Sequence, residues 1–433
     1  MKVVIAGAGF GGLRLARQLS NKPGFEVVLI DRFNYHQFQP LFYQVATGGL
    51  DASNISFPLR KVFHKSKNVK IRLAEVKEIL PASNTIITTH AKITYDALVI
   101  AMGAGTNFFG NNNLAQHAFS MKTTTEALQI RYRLLQLFEQ AHTIVDENKL
   151  QQLMNIVIVG GGPTGVEVSG ALAEMKKYVL PKDFPELDFT RMNIYLLEGS
   201  DKPLAAMSQK SSAQSQKYLE RLGVTLLTNT IVKDYDGSNV LLQNGQTIAA
   251  ATVIWAAGIK GNVPNGIHPS LINKGNRIIT DRRCQVSGYP TIYAIGDLAY
   301  METPKYPTGH PQVAPVAIQQ ADLVAHNFIM MEQKSNPNRL IDFEYTDKGS
   351  MATVGRNLAV VDVPKPKLHF GGFFAWLIWM GLHLMLIVGV KNRFFVFMNW
   401  VYNYITYDQN LRLIFKDVHQ SQVNEMANKN NAS

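Results

Sequence analysis

Two short glycine-rich turns, each set between an apolar run and a helical pattern, constrain this chain more than any other feature. The first is Gly7-Ala8-Gly9-Phe10-Gly11-Gly12, and the second is Gly160-Gly161-Gly162-Pro163-Thr164-Gly165. Both fit G-x-G-x-x-G, through Gly7, Gly9 and Gly12 and through Gly160, Gly162 and Gly165. In such a turn the first glycine permits a tight bend, the second lets a pyrophosphate approach the backbone, and the third packs helix on strand. The free N–H groups and positive dipole of the following helix then face the phosphates.

Both turns have the surroundings that give the motif its meaning. Lys2–Ala6 is a short β-branched run, residues 13–20 show helical apolar spacing, and 26–30 form a second apolar run closed by Asp31. The plan returns with Asn155–Val159, a helical pattern over 167–174, and Asn193–Leu197 closed by Glu198. Asp31 follows Gly12 by 19 residues (31 − 12), while Glu198 follows Gly165 by 33 (198 − 165). A polar, proline-bearing insertion over 176–188 accounts for the excess. A carboxylate at this place accepts hydrogen bonds from an adenosine ribose, and the charge of Glu198 repels a 2′-phosphate, which favours NADH over NADPH. Two turns predict two dinucleotides.

Further apolar runs end in small residues: 97–102 before Gly103, 252–257 before Gly258, and 291–295 before Gly296-Asp297. The expected class is α/β, with two Rossmann-like dinucleotide-binding domains in a glutathione-reductase-like arrangement and a C-terminal amphipathic helical region that anchors to a membrane. The expected division is 1–118 and 281–365 for the first domain, 119–154 as a helical connection, 155–280 for the second domain, and 366–433 for membrane association. Pro364-Lys365-Pro366-Lys367 is the boundary candidate, since two prolines favour extended backbone.

At 433 residues the chain exceeds one ordinary core, which agrees with several domains. Lys and Arg outnumber Asp and Glu by 43 to 32, and several of the basic residues flank the apolar C-terminus. No Cys/His ligand set and no aromatic-interleaved basic patch appears, so neither a metal nor a nucleic acid is expected. The single cysteine, Cys284, excludes a disulfide framework and a redox-active disulfide within the chain. A strand beginning at residue 2 leaves no room for an export signal, so a reducing compartment is expected. Residues 424–433 read as a polar tail.

Residues 370–390 are 21 in number, carry no formal charge, and include His383. That length suits a spanning helix, but four glycines interrupt it and Lys391 and Arg393 follow. Beyond them Asn392, Asn399 and Asn403 recur at i, i+7 and i+11, with Phe394, Phe395, Phe397, Met398, Trp400, Val401 and Ile405 on the other sides. Such a helix lies in an interface, so one-sided attachment is expected rather than a span.

With both turns placed, residues 1–415 resemble a type II NADH dehydrogenase, the single-subunit NADH:quinone reductase of membrane surfaces. Residues 40–48 (PLFYQVATG) are similar to that family's flavin-contacting stretch, and 180–185 (LPKDFP) to its insertion. Ala294-Ile295-Gly296-Asp297 matches the segment whose aspartate holds the flavin ribityl chain, and Glu75-Val76 falls where a backbone contact to the adenine is expected. Ala314-Pro315-Val316-Ala317-Ile318-Gln319 resembles A-Q-x-A-x-Q beside the flavin ring, with Pro315 in place of the first glutamine and Gln312 as a neighbour able to replace it.

The resemblance implies FAD at Gly7, Gly9, Gly12, Asp31, Thr47, Val76, Gly103, Asp297 and Gln319, and NADH at Gly160, Gly162, Gly165, Glu198 and Gly258. It implies Glu167 and Gln319 as the residues near the chemistry, although a first-turn glutamate also simply suits the helix dipole. It further implies hydride transfer through FAD to a membrane quinone without proton pumping, by a homodimer on the cytoplasmic face of the inner membrane. A sulfide:quinone reductase or a disulfide reductase would need cysteines that are absent. A soluble NADH:small-acceptor reductase would leave 370–405 without a purpose, and an NADH-sensing flavoprotein would turn over slowly.

Overall fold

The computed structural model describes residues 1–334, 339–408 and 411–415, so the expected polar tail lies outside the described residues. The chain forms two compact units. The first comprises Met1–Gln37, Phe57–Gly105 and Ile259–Asp347, and the second Phe38–Ser56, Thr106–Gly258 and the chain from Lys348 onward. The breaks after 105 and 258 follow the strands Ala97–Ile100 and Thr252–Trp255 within a few residues, whereas the expected limits are 118, 280 and 365, and Phe38–Ser56 goes to the second unit.

The first unit is built on a five-stranded parallel sheet in the order Ile292–Ala294, Ala97–Ile100, Lys2–Ala6, Glu26–Asp31, Val69–Leu73. The second repeats it as Phe119–Ser120, Thr252–Trp255, Asn155–Val159, Asn193–Leu197, Val224–Leu227. Parallel strands covered on both faces read as unbroken apolar runs, and Val3, Val4 and Ile5 are indeed fully buried.

In each unit an antiparallel three-stranded meander precedes the closing strand: Val76–Leu80, Thr85–Thr88 and Lys92–Thr94 in the first, Val232–Tyr235, Asn239–Leu242 and Thr247–Ala249 in the second. Even the packed face repeats. Val4, Ala6, Leu98 and Ile100 meet Ile79 and Ile86 of one meander, while Val157, Val159, Val253 and Trp255 meet Tyr235 and Val240 of the other.

The helical connection is present as Thr124–Ala141 and Glu147–Met154. Thr123 and Glu126 form a reciprocal capping box that starts the longer helix. The insertion over 176–188 is less polar in place than in sequence. Its first residues extend the preceding helix to Tyr178, and Val179, Leu180 and Phe184 are buried.

Pro364 to Lys367 is not a linker. It is the turn between the strands Leu358–Val363 and Leu368–Gly371, which with Ser350–Gly355 form one antiparallel sheet. Gly170 lets the helix Pro163–Tyr178 cross that sheet closely, since a Cβ there would lie 1.5 Å from the carbonyl oxygen of Val354.

The candidate span over 370–390 is likewise resolved into pieces. Phe370 and Gly371 finish a strand, Gly372 turns at φ +78°, and the helix Phe373–Leu386 has only 14 residues. Such a helix is about 21 Å long, short of an apolar bilayer core of about 30 Å. Gly389 turns again at φ +87° before the helix Val390–Thr406. Among the described residues no helix is long and apolar enough to cross a membrane.

Candidate functional site

The first glycine turn joins the strand Lys2–Ala6 to the helix Phe10–Leu19. Gly7 has φ +103° and donates its N–H to the carbonyl of Ile30 at 2.7 Å. A Cβ at Gly7 would lie 2.3 Å from the carbonyl oxygen of Ala101, and one at Gly12 1.8 Å from that of Gly7. At Gly9 a Cβ would meet nothing within 4 Å, so the turn is open where a phosphate would approach. Asp31 accepts the Ala8 N–H at 2.6 Å and the Phe33 N–H at 2.7 Å. Burial raises the Asp31 carboxyl above its usual range, and these two N–H groups only partly offset that.

The second turn copies the first atom for atom. Gly160 has φ +107° and donates to Leu197 at 2.7 Å, and a Cβ at Gly165 would lie 1.9 Å from the Gly160 carbonyl oxygen. Gly162 has open space around it. Glu198 accepts the N–H of Gly161, and that of Ser200 at 2.7 Å. Both turns therefore fit a dinucleotide by the same three features: side-chain-free close contacts, a free approach at the middle glycine, and a carboxylate at the strand end.

Gly103 (φ +65°) and Gly258 (φ +76°) follow the closing strands and adopt the left-handed backbone their type suggests. Val76 opens the first meander strand, two residues beyond Ala74, whose N–H reaches the carbonyl of Asp31. Asp297 sits in a turn held by two glutamines. Buried Gln320 accepts the Gly296 N–H at 2.7 Å, and Gln312 donates to the Asp297 carbonyl at 2.8 Å. Gln319 instead pairs with the backbone of Thr346, donating at 3.0 Å and accepting at 2.9 Å. Thr47 is buried, with its hydroxyl bonded to the Tyr43 carbonyl at 2.9 Å.

In the second unit the helix Pro163–Tyr178 carries Glu167, Ala171 and Glu174 at i, i+4 and i+7, and this face lines a cavity of about 120 Å³. Tyr43, Gln44, Arg356, Trp379 and Trp400 line it too. Burial pushes the Glu167 carboxyl up to about 8, against the opposing pull of the Thr353 N–H and the Trp379 indole. That indole Nε1 is buried without a hydrogen-bond partner at normal distance. Trp400 donates to Gln44 Oε1 at 2.7 Å, and Gln44 donates to the Tyr43 hydroxyl at 2.8 Å. His383 bonds the Trp379 carbonyl at 2.7 Å and stacks on its ring, and burial lowers its pKa to about 4, so it is a neutral packing residue.

Residues that sequence reasoning did not single out hold these sites together. His36 bonds the carbonyl of Ala8 at 2.9 Å, so the same peptide is gripped at its N–H by Asp31 and at its oxygen by His36. Burial brings that imidazole down to about 4. Arg356 caps the last helix by donating to the carbonyls of Asn403 at 2.6 Å and Tyr404 at 3.0 Å, which a helix end otherwise leaves unpaired. Neither residue lies in a motif, and nothing local marks it.

The last helix is amphipathic in the unexpected sense. Asn392 donates to the carbonyls of Ser53 and Asn54 at 3.1 Å and Asn403 to that of Gly49 at 3.0 Å, so its amide face is turned onto the protein. Apart from buried Val396 and Trp400, its apolar residues face outward, with Ile405 73% and Val390 80% exposed, and Phe374 of the preceding helix is likewise 73% exposed.

Residues 1–321 match the family described as pyridine nucleotide-disulphide oxidoreductase, and 348–406 match the NDH2 C-terminal domain. The type II NADH:quinone oxidoreductase Ndh of Mycobacterium tuberculosis is 35% identical over 94% of this chain and 88% of its own length. The corresponding protein of Haemophilus influenzae is 28% identical over 88% and 92%. In structure, NDH2 from Plasmodium falciparum in complex with NADH superposes with a TM-score of 0.88 at 22% identity, over 96% of this chain and 99% of that one.

Proposed function

This chain belongs to the type II NADH:quinone oxidoreductases, and on that basis we propose that FAD occupies its first glycine turn and NADH its second. It oxidises NADH and reduces a quinone, without pumping protons. The observation that carries the proposal is the repeated bond from a strand-end carboxylate to the turn, Asp31 to Ala8 and Glu198 to Gly161. When bound, the flavin supplies the redox chemistry, taking a hydride from NADH and passing two electrons to the quinone.

The residues divide the remaining work. Gly7, Gly9, Gly12, Gly103 and Asp31 hold the FAD phosphates and adenosine, with Val76 at the adenine, and Thr47, Asp297 and Gln319 serve the flavin end. Gly160, Gly162, Gly165 and Gly258 receive the second dinucleotide, and Glu198 bonds its ribose and repels a 2′-phosphate. The proposed FAD domain is 1–118 with 281–365 and the proposed NADH domain 155–280, limits near those of the two compact units but not the same.

The quinone headgroup enters the cavity beside Glu167. A carboxyl held up to about 8 is protonated at neutral pH and can donate to a quinone oxygen. The exposed apolar faces of the last two helices rest in the membrane surface, and Trp and Tyr residues suit that depth. Attachment is one-sided, on the cytoplasmic face of the inner membrane, by a homodimer.

Anaerobic titration tests this reading. The yellow protein should bleach with NADH but not NADPH, and its colour should return on adding a short-chain ubiquinone. A colourless protein that FAD cannot reconstitute would end it.

A further inference from the structure

We propose that Glu174 is a second station for the proton consumed in quinone reduction, taking it up at the outer end of the cavity and passing it to Glu167 at the inner end. The proposal rests on the reading of that cavity as the quinone site.

The two carboxylates stand on one helix face, seven residues apart, and line the same cavity. At about 1.5 Å of rise per residue their Cα atoms are about 10 Å apart, a gap that a short file of waters spans. Burial is graded along it. Around Glu167 stand Trp379 and Thr353, which are 1% and 4% exposed, whereas Tyr404, whose ring lies under the Arg356 guanidinium, is 40% exposed. Glu174 accepts the N–H of Arg356, whose guanidinium also faces it, and burial raises its carboxyl above the usual range. The groups facing Glu174 are Arg356, from the turn after the strand Ser350–Gly355, and Tyr43 from Phe42–Ala46, with Tyr404 of the last helix and Glu167 of its own helix on the same cavity lining. Among the described residues the lining holds no other formal charge than Glu167, Glu174 and Arg356.

Stoichiometry supplies the need. NADH, one proton and a quinone give NAD⁺ and a quinol, so each turnover draws one proton from water. As the proton leaves Glu167 for a quinone oxygen, the new carboxylate takes another from Glu174. Glu174 then regains one from bulk water, and Arg356 stabilises its passing negative charge. No electrons move in these steps. Glu174 touches no reacting atom and acts through Glu167, as a positioning residue for the proton.

The test compares Glu174→Gln with wild type in NADH-driven reduction of a short-chain ubiquinone, normalised to ferricyanide reduction, which takes up no proton. The amide retains an acceptor oxygen for the Arg356 N–H. The normalised kcat should fall roughly tenfold above neutral pH and recover toward acid pH, with Glu174→Asp restoring the wild-type profile. A Glu174→Gln profile that overlays wild type overturns the relay. Ala171→Phe separates this from failure of the quinone assignment: filling the cavity should raise the quinone KM roughly tenfold. An unchanged KM overturns the assignment and the relay together. In the unaltered enzyme, D₂O should slow quinone reduction more than ferricyanide reduction, and equal slowing also overturns the relay.

Discussion

The carboxylate of Glu198 accepts the backbone N–H of Gly161, so the residue that would read the adenosine ribose also fixes the turn beneath the pyrophosphate. Glu198→Ala removes both effects. Hydrogen bonds to a charged group are each worth about 1.5–3 kcal/mol, so the NADH KM should rise about tenfold or more. The preference for NADH over NADPH should shrink, because the repelling charge is gone. Steady-state kinetics with both nucleotides decide it.

The two turns give a double dissociation. A Cβ at Gly12 or Gly165 would meet a backbone carbonyl at 1.8 or 1.9 Å, and neither carbonyl can yield without moving its strand. Gly12→Ala should purify without colour. Gly165→Ala should stay yellow but fail to bleach with NADH. Visible spectra before and after NADH distinguish the two, and a yellow Gly12→Ala protein would contradict the assignment of FAD to the first turn.

Glu167 sets a pH limit. Its folded value of about 8 lies above the ordinary 4.5, so it stays protonated in the folded enzyme where an unfolded chain would ionise. Its contribution to stability is whole below the ordinary value and declines as pH rises from there to about 8. Glu167→Gln should therefore melt higher than wild type at alkaline pH, while quinone turnover falls about 100-fold and loses its alkaline limb. Melting curves and pH–rate profiles on the same samples check both signs.

Asp362 makes the opposite prediction. Partial burial works against its ionisation, but the Ser208 N–H, the Ser211 and Ser208 hydroxyls and His369 outweigh this and hold its carboxyl below the usual range. These bonds run from 2.7 to 3.1 Å and tie the helix Gln209–Arg221 to the C-terminal sheet. Their contribution is present at neutral pH and is lost as pH falls through the folded pKa. Asp362→Asn should cost about 1–3 kcal/mol at neutral pH and less in acid, read as a lowered Tm.

The proposed membrane attachment rests on outward apolar side chains. Phe374→Glu with Ile405→Glu should leave the enzyme in the supernatant after sedimentation with lipid vesicles, while NADH-driven ferricyanide reduction persists. Retention on the vesicles would contradict the surface.

Both glycine turns and their carboxylates were legible in the sequence because that information is local: glycine spacing, a flanking strand, an acid at the next strand end. Glu167 was legible only by likeness, since a first-turn glutamate looks the same whether it faces solvent or a cavity. His36 and Arg356 were not legible, because each acts on backbone brought near by the fold. Length and hydropathy over 370–390 suggested a span, yet the turns at Gly372 and Gly389 cut it, and hydropathy does not register positive φ. The asparagines of the last helix were seen to share a face, but not which way it points. That depends on the carbonyls of Gly49, Ser53 and Asn54 that await them.

That inward row of amides governs how a detergent-free version of the enzyme could be engineered. Deleting the final helix would strip three main-chain oxygens of their donors, take the indole of Trp400 from Gln44 and uncover the Trp379 ring that packs on it, giving a sticky fragment instead of a tractable one. The workable route is to recolour the outer residues with charge and leave the asparagines where they are.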